Sequence, residues 1–427
     1  MDAAVCAIAL ATVPGQTSGQ EALGGQEQAE PGSDLEVLLM TFGPGRAIWE
    51  KFSHNALWVR DRGTGTEAAY NWGIFDGHQE GFMTRLIRGR MLYELQSYHA
   101  PALMDYYDSV GRDVWVQKIN LSPSQSLELQ RAVQAADTDA NRAYLYDYFL
   151  DNCSTRVRDF LDVVLDGQIR RATESVETGT TFRWHTARLL QSVTWAYAGI
   201  QFVVGHRGDR PISAWEEMFL PLKLQHHLEG LQIVGEDGAS MDLLGPRRRM
   251  FERDPAVVPE SAPGFLFGYL LVGLGLAAVL GLAARAGSEG NRMARWGFAL
   301  VGGGWNLVVG LTGTALVLSW VFTDHAFWQV NENALHFSPL SLPLALLIPA
   351  AVLGRGLRLT RGLAVTTAAL SAVGFVLQVI PLFDQVNGVL IALVLPVHVA
   401  VAWGLQALVR EDTGADPDRT GELASTA

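Results

Sequence analysis

The chain has 427 residues, a net charge of −12 and 49% hydrophobic residues, with a mean hydropathy of +0.15 and a pI near 5.3. This acidity, and the lack of any basic stripe, exclude nucleic acid as the main partner, while 12 Trp, 18 Phe and 10 Tyr exclude disorder for most of the length. Positive mean hydropathy excludes an ordinary soluble domain and points to a membrane part.

The apolar stretch Ala3–Val13, which contains Cys6, reads as the core of an export signal without its basic flank, and Pro14–Gly32 as a linker or processing region. Leu35–Phe42 has strand length and is broken by Gly43-Pro44-Gly45. His54–Arg60 and Ala69–Ile74 read as neighbouring antiparallel strands, and Met91–His99 and Val114–Ile119 continue the β pattern. Ser122 as N-cap and Pro123 in the first turn open a helix that runs to about Ala136.

The stretch Tyr144–Leu165 carries the chemistry. Val157, Phe160, Leu161, Val164 and Leu165 fall at helical spacing, with the N-cap types Asp151 and Asn152 just upstream. Cys153 is therefore expected at a helix N-terminus, where unpaired N–H groups favour a thiolate and Arg156 and Arg158 add positive potential, with a packed small residue as the alternative. A thiolate nucleophile needs a base, and His54, opening a strand of the same domain, is the candidate. Asn71, on the next strand, is the candidate to orient His54; a plain turn residue before Gly73 is the alternative. The Cys153 N–H is expected to hold an oxyanion with a second donor from Tyr148 or Asn152. Arg156 and Arg158 are candidates for phosphate contact, or for bracing the helix through an Arg156–Asp159 pair. The pair His226-His227 lacks further ligands at metal spacing, so neither metal nor cofactor is expected.

Residues 170–262 read as a mostly helical extension, ending in the basic cluster Arg247, Arg248, Arg249 and Arg253, which is either a lipid-phosphate collar or an ordinary solvated run. Apolar runs at about Gly264–Ala284, Gly297–Phe322, Leu340–Gly354, Leu363–Leu382 and Gly388–Val409 suit five spans. The first and third connecting loops carry Arg and the second and fourth carry neither Lys nor Arg. The positive-inside rule then puts the N-terminal domain outside and the C-terminus in the cytoplasm. The second loop holds His325, Asn331 and Asn333, candidates for substrate contact at the membrane edge, with interfacial anchoring as the alternative for its aromatics.

The segments FSHNALWV (52–59), YNWGIFD (70–76), INLSPSQ (119–125) and YLYDYFLDNCSTRVRD (144–159) resemble, in this order, the bacterial Lnb N-terminal periplasmic domain family. EEMFLPLKL (216–224) and NENALHFSPLSL (331–342) are also similar to its members. The His-before-Cys order resembles circularly permuted papain-like enzymes, the group that includes lecithin:retinol acyltransferase. The resemblance implies a Cys–His site outside the bacterial cytoplasmic membrane. It also implies N-acylation of lipoproteins, with a phospholipid as acyl donor and the amine of a diacylglyceryl-cysteine as acceptor.

The expected architecture is an α+β permuted papain-like extracytoplasmic domain (33–169) after a signal-like segment and linker (1–32). A helical extension (170–262), a polytopic α-helical membrane domain (263–410) and a cytoplasmic tail (411–427) follow. The expected activity is a membrane-bound, thiol-dependent acyltransferase. A cysteine peptidase or amidase acting on peptidoglycan, and a non-enzymatic membrane sensor or assembly factor, are the competing classes.

Overall fold

The computed structural model describes residues 30–236, 238–251 and 256–410. The Ala3–Val13 segment with Cys6, most of the linker, Arg253 and the tail 411–427 lie outside the described residues.

Six strands form in chain order: β1 (Leu35–Phe42), β2 (His54–Asp61), β3 (Glu67–Ile74), β4 (Leu92–Tyr98), β5 (Val114–Lys118) and β6 (Ala143–Leu145). A two-residue strand, Arg248–Arg249, joins them in one antiparallel sheet. Its order is Arg248–Arg249, β5, β1, β2, β3, β4, β6. Four helices accompany the sheet: α1 (Phe82–Arg88), α2 (Ala100–Ser109), α3 (Pro123–Ala136) and α4 (Cys153–Val164). Alternation of side chains along each strand gives the sheet two apolar faces. One face, with Leu39, Leu57 and Trp72, packs on α3 and α4 through Leu129, Val133, Val157 and Leu161. The other, with Met40, Ala56 and Ala69, is covered by α2 through Leu103, Met104 and Tyr107.

Capping residues set where the helices start. Ser122 accepts from the Gln125 N–H and Gln125 returns the bond, a capping box that starts α3 at Pro123. Asn152 accepts from the Ser154 and Thr155 N–H groups and starts α4 at Cys153. Such a cap is worth about 1 kcal/mol.

Residues 170–262 do contain helices, Phe182–Leu190, Thr194–Val203 and Pro221–Glu229 among them. They are not a separate appendage, however. Met218, Leu224, Leu228, Ile233 and Leu243 belong to the same apolar core as β1 and α4. The basic cluster is drawn into this body too, Arg247 pairing with Glu229 at 2.6 Å and Arg249 with Asp113 at 2.5 Å.

Five helical segments are long and apolar enough to cross a membrane: Leu266–Ser288, Arg292–Phe322, Asn333–Val352, Leu357–Leu377 and Gly388–Leu408. The loops after the second and fourth of these meet the N-terminal body. The Asp324 N–H donates to the Arg88 carbonyl at 2.8 Å, Asn331 Nδ2 to the carbonyls of Phe202 and Val203 at 2.9 and 3.0 Å, and His206 pairs with Asp384 at 2.7 Å. Both loops thus lie against the N-terminal body.

Candidate functional site

The site forms where β2 and β3 meet the start of α4. His54 is the first residue of β2, paired across the sheet with Phe42. Its ring stacks beside Phe42 and Tyr107, with centroids 6.0 and 6.2 Å away. Asn55 anchors the same strand to α4, accepting at 3.1 Å from the Ser154 hydroxyl and donating at 3.0 Å to Thr41 Oγ1. Asn71 Oδ1, on β3, lies 2.5 Å from His54 Nε2. An amide oxygen only accepts, so Nε2 carries the proton and Nδ1 is left as the basic nitrogen.

Gly73 brings the groups together. The register of β3 on β4 slips between Trp72 and Ile74, and Gly73 at this bulge takes φ +93°, a conformation that a side chain resists. A Cβ built there would lie 3.5 Å from Cys153 Cβ, 3.8 Å from His54 Cε1 and 4.0 Å from the Tyr144 hydroxyl. The missing side chain is what lets Cys153, the imidazole and the phenol converge. A cavity of about 590 Å³ opens beside them, with His54, Asn71, Gly73 and Arg112 in its wall and Trp49, Phe75 and Tyr106 among its apolar lining.

The expected resting thiolate is corrected. Burial pushes the Cys153 thiol up to about 11, although the N–H groups of Asn55, Ser154 and Cys153 and the Arg112 charge pull the other way. Burial likewise lowers His54 to about 4, against the hydrogen bond to Asn71. Desolvation outweighs the partial charge of one helix end, which is worth roughly 0.3–1 kcal/mol. Burial thus favours the neutral thiol and the neutral imidazole over the charged pair.

Other residues singled out in the sequence lie elsewhere. Tyr148 lies within a tight turn in which Asp147 Oδ1 accepts from the Phe149 and Leu150 N–H groups at 2.8 and 2.9 Å. The turn sends its ring toward His325 and Phe327, with centroids 6.4 and 6.3 Å away. Asn152 uses its oxygen on the cap and its Nδ2 on the carbonyls of Tyr148 and Phe219, both at 3.0 Å, so it has no donor left for an oxyanion. Arg156 does not pair with Asp159. It forks onto Asp151 at 2.5 and 2.6 Å and covers the Tyr144 ring at 4.5 Å. Arg158 takes Asp159 and the Trp215 carbonyl, both at 2.8 Å. Both arginines brace α4 instead of facing the cavity. His325, Asn331 and Asn333 were expected at a substrate edge and are corrected to docking contacts. Each is buried and bonds to backbone carbonyls of the N-terminal body.

Two groups near the sulfur carried no sequence signal. The Tyr144 hydroxyl is buried without a hydrogen-bond partner among the described residues, and burial, with the adjoining Cys153 sulfur, raises its pKa. It is an O–H donor with nothing yet to donate to. Arg112 is 5% exposed. Its Nε donates to the Gly43 carbonyl at 2.7 Å, its Nη1 stands 3.9 Å from Glu50, and its Nη2 has no partner among the described residues. Among the described residues no cluster of His, Cys, Asp and Glu suits a metal ion.

Residues 27–192 match the family described as the Lnb N-terminal periplasmic domain. No curated protein and no solved structure gives a match. The matched stretch contains His54, Asn71, Arg112, Tyr144 and Cys153, and so the whole convergence at Gly73. The chain thus carries an Lnb N-terminal periplasmic domain, of sheet-rich α+β structure, followed by a helical region with five candidate membrane spans.

Proposed function

We propose that this protein is a thiol-dependent acyltransferase of the bacterial cytoplasmic membrane, with its C-terminus in the cytoplasm. It moves an acyl chain from a phospholipid, through a thioester on Cys153, to an amine, the N-terminus of a diacylglyceryl lipoprotein. The observation that carries the reading is the meeting of Cys153, His54 and Asn71 at Gly73, in a body bonded directly to the ends of membrane helices.

Cys153 Sγ attacks the ester carbonyl carbon while His54 Nδ1 takes the thiol proton. The oxyanion is stabilised by the Cys153 N–H at the start of α4 and by the unpartnered Tyr144 hydroxyl. The carbon–oxygen ester bond then breaks, and lysophospholipid leaves with the proton from His54. In the second half the amine attacks the thioester, His54 accepts an amine proton, the carbon–sulfur bond breaks and the proton returns to sulfur. Arg112 Nη2 supplies charge for the donor's phosphodiester. Asn71 keeps His54 Nδ1 turned to the sulfur throughout. The His-before-Cys order and helix-borne sulfur support a permuted papain-like ancestry.

The test is mass spectrometry of the full chain after incubation with phospholipid vesicles. The expected result is an acyl adduct on Cys153 that is lost when a lipopeptide with a free α-amine is added, giving N-acylated peptide and lysophospholipid. No adduct, with cleavage of peptidoglycan stem peptides instead, overturns the reading in favour of an amidase. Full cellular function of Cys153→Ala and His54→Ala overturns it in favour of a sensor or assembly factor.

A further inference from the structure

Helix α1 is short, and none of its residues is buried. Met83 and Ile87, one helical turn apart, are 61% and 62% exposed, and share a face. A large apolar pair left in water is unusual unless something covers it.

The position of α1 indicates what does. The second candidate span ends in Val321 and Phe322, apolar side chains that are 72% and 68% exposed. Two residues further on, the Asp324 N–H donates to the Arg88 carbonyl at 2.8 Å, and the Asp324 carboxylate pairs with Arg90. His325 Nε2 donates to the Leu86 carbonyl at 3.0 Å. The C-terminal end of α1 is thereby fixed at the outer end of a membrane helix. Thr84, Arg88 and Arg90 lie exposed beside the apolar pair, a mixture suited to the boundary between acyl chains and phosphates. The apolar surface also continues inward. Phe82 stacks on Phe75 at 6.0 Å, and Phe75 meets Trp49 edge-on at 6.5 Å. Phe75 and Trp49 line the cavity that holds His54.

We infer that α1 is an interfacial helix, lying in the outer leaflet with Met83 and Ile87 among the acyl chains, and that it forms with Phe75 and Trp49 a ramp along which a lipid tail passes from the bilayer to Cys153. The occupant of this face is the bilayer, because α1 is bonded through Leu86, Arg88 and Arg90 to the residues that directly follow the exposed apolar end of the second span. The inference supplies the route that the proposed acyl transfer needs, and its depth test stands without that chemistry.

The experiment uses the full chain with Cys6→Ala and Cys153→Ala, reconstituted in phosphatidylethanolamine–phosphatidylglycerol vesicles. A nitroxide is attached at Met83→Cys, or at Thr64→Cys in the exposed turn at the far end of β2. The Met83 label should collide preferentially with oxygen and the Thr64 label with a water-soluble nickel chelate. Equal, water-like collision ratios at the two sites overturn the inference, as they would if a protein partner rather than lipid covered the face.

A second arm keeps Cys153 and introduces Met83→Asp with Ile87→Asp. Adduct formation from vesicle lipid should fall about tenfold or more, with alkylation of Cys153 by aqueous iodoacetamide unchanged. An unchanged adduct rate removes the ramp. Absence of any adduct in the unmutated protein defeats the acyl-transfer reading, while the collision ratios still decide the placement of α1.

Discussion

His54 Nε2 and Asn71 Oδ1 lie 2.5 Å apart on adjacent strands of one antiparallel sheet. The bond fixes the imidazole tautomer from a rigid scaffold, because both residues sit at positions set by strand register. On the proposed mechanism Asn71 touches no reacting atom and acts through His54. Asn71→Ala should therefore lower the rate of Cys153 acylation about 100-fold, the scale of a mispositioned catalytic group. The KM should change little and Asn71→Asp should restore part of the rate. Steady-state kinetics on the three proteins checks this, and an equal loss in Asn71→Asp would speak against a positioning role.

The neutral resting pair has a pH signature. Cys153 is raised to about 11 by burial, so its alkylation by iodoacetamide should keep rising above pH 9 instead of levelling off near neutrality. His54 is lowered from 6.5 to about 4. A depressed folded value means that protons favour the unfolded chain, so the associated stability is present above 6.5 and lost as pH falls through about 4. Chemical denaturation of wild type and His54→Gln across this window should show a steeper loss in the wild type.

Gly73 has φ +93° and faces Cys153 Cβ, His54 and Tyr144 across less than a side chain's width. Gly73→Ala should cost about 1–3 kcal/mol through backbone strain. It should also abolish adduct formation in whatever fraction stays folded. Thermal unfolding with adduct mass spectrometry on the same sample separates the two effects. Unchanged stability would mean that the bulge relaxes.

Arg112 Nη2 is buried without a hydrogen-bond partner among the described residues, and Arg112 shares the cavity wall with His54. Arg112→Gln should raise KM for a phospholipid donor about tenfold or more, the worth of one charge-assisted bond. Hydrolysis of an uncharged short-chain ester should be little affected, and Arg112→Lys should fall between. Equal losses on both donors would assign Arg112 to the sulfur rather than to the phosphate.

Asn333 donates to the carbonyls of Gln201 and Phe202, both at 3.0 Å, from a fully buried position. Asn333→Ala leaves those acceptors short and should weaken docking of the N-terminal body by about 1–3 kcal/mol. Hydrogen exchange over residues 201–205 should accelerate, while exchange in β1 to β3 should not.

The strands and helix starts were readable because they depend on local signals. Apolar runs bounded by Gly and Asx residues mark β1 to β3, and the caps Ser122 and Asn152 mark α3 and α4. Cys153 and His54 could be singled out by residue type and by the elements that carry them. Tyr144, Arg112 and Gly73 could not, since their roles arise from chain segments that meet only in the folded sheet. Tyr148 misled because it lies within the Asp147 turn, which sends its ring toward His325 and Phe327. The ionisation of Cys153 misled for an energetic reason: a helix end can be seen in a sequence, and the depth of burial around it cannot. Residues 170–262 looked separable because distance along the chain says nothing about Met218 and Leu228 returning to the core of β1.

Burial of the Cys153 thiol has one more outcome. Peroxides attack the sulfur anion far faster than the protonated form, and the first oxidation step opens the way to irreversible acids. No second cysteine lies among the described residues to rescue a sulfenic acid by forming a bridge. On the proposed acyl transfer, a sulfur that sheds its proton only when an ester is in place is spared peroxide attack between turnovers, and its chemical lifetime follows the occupancy of the cleft.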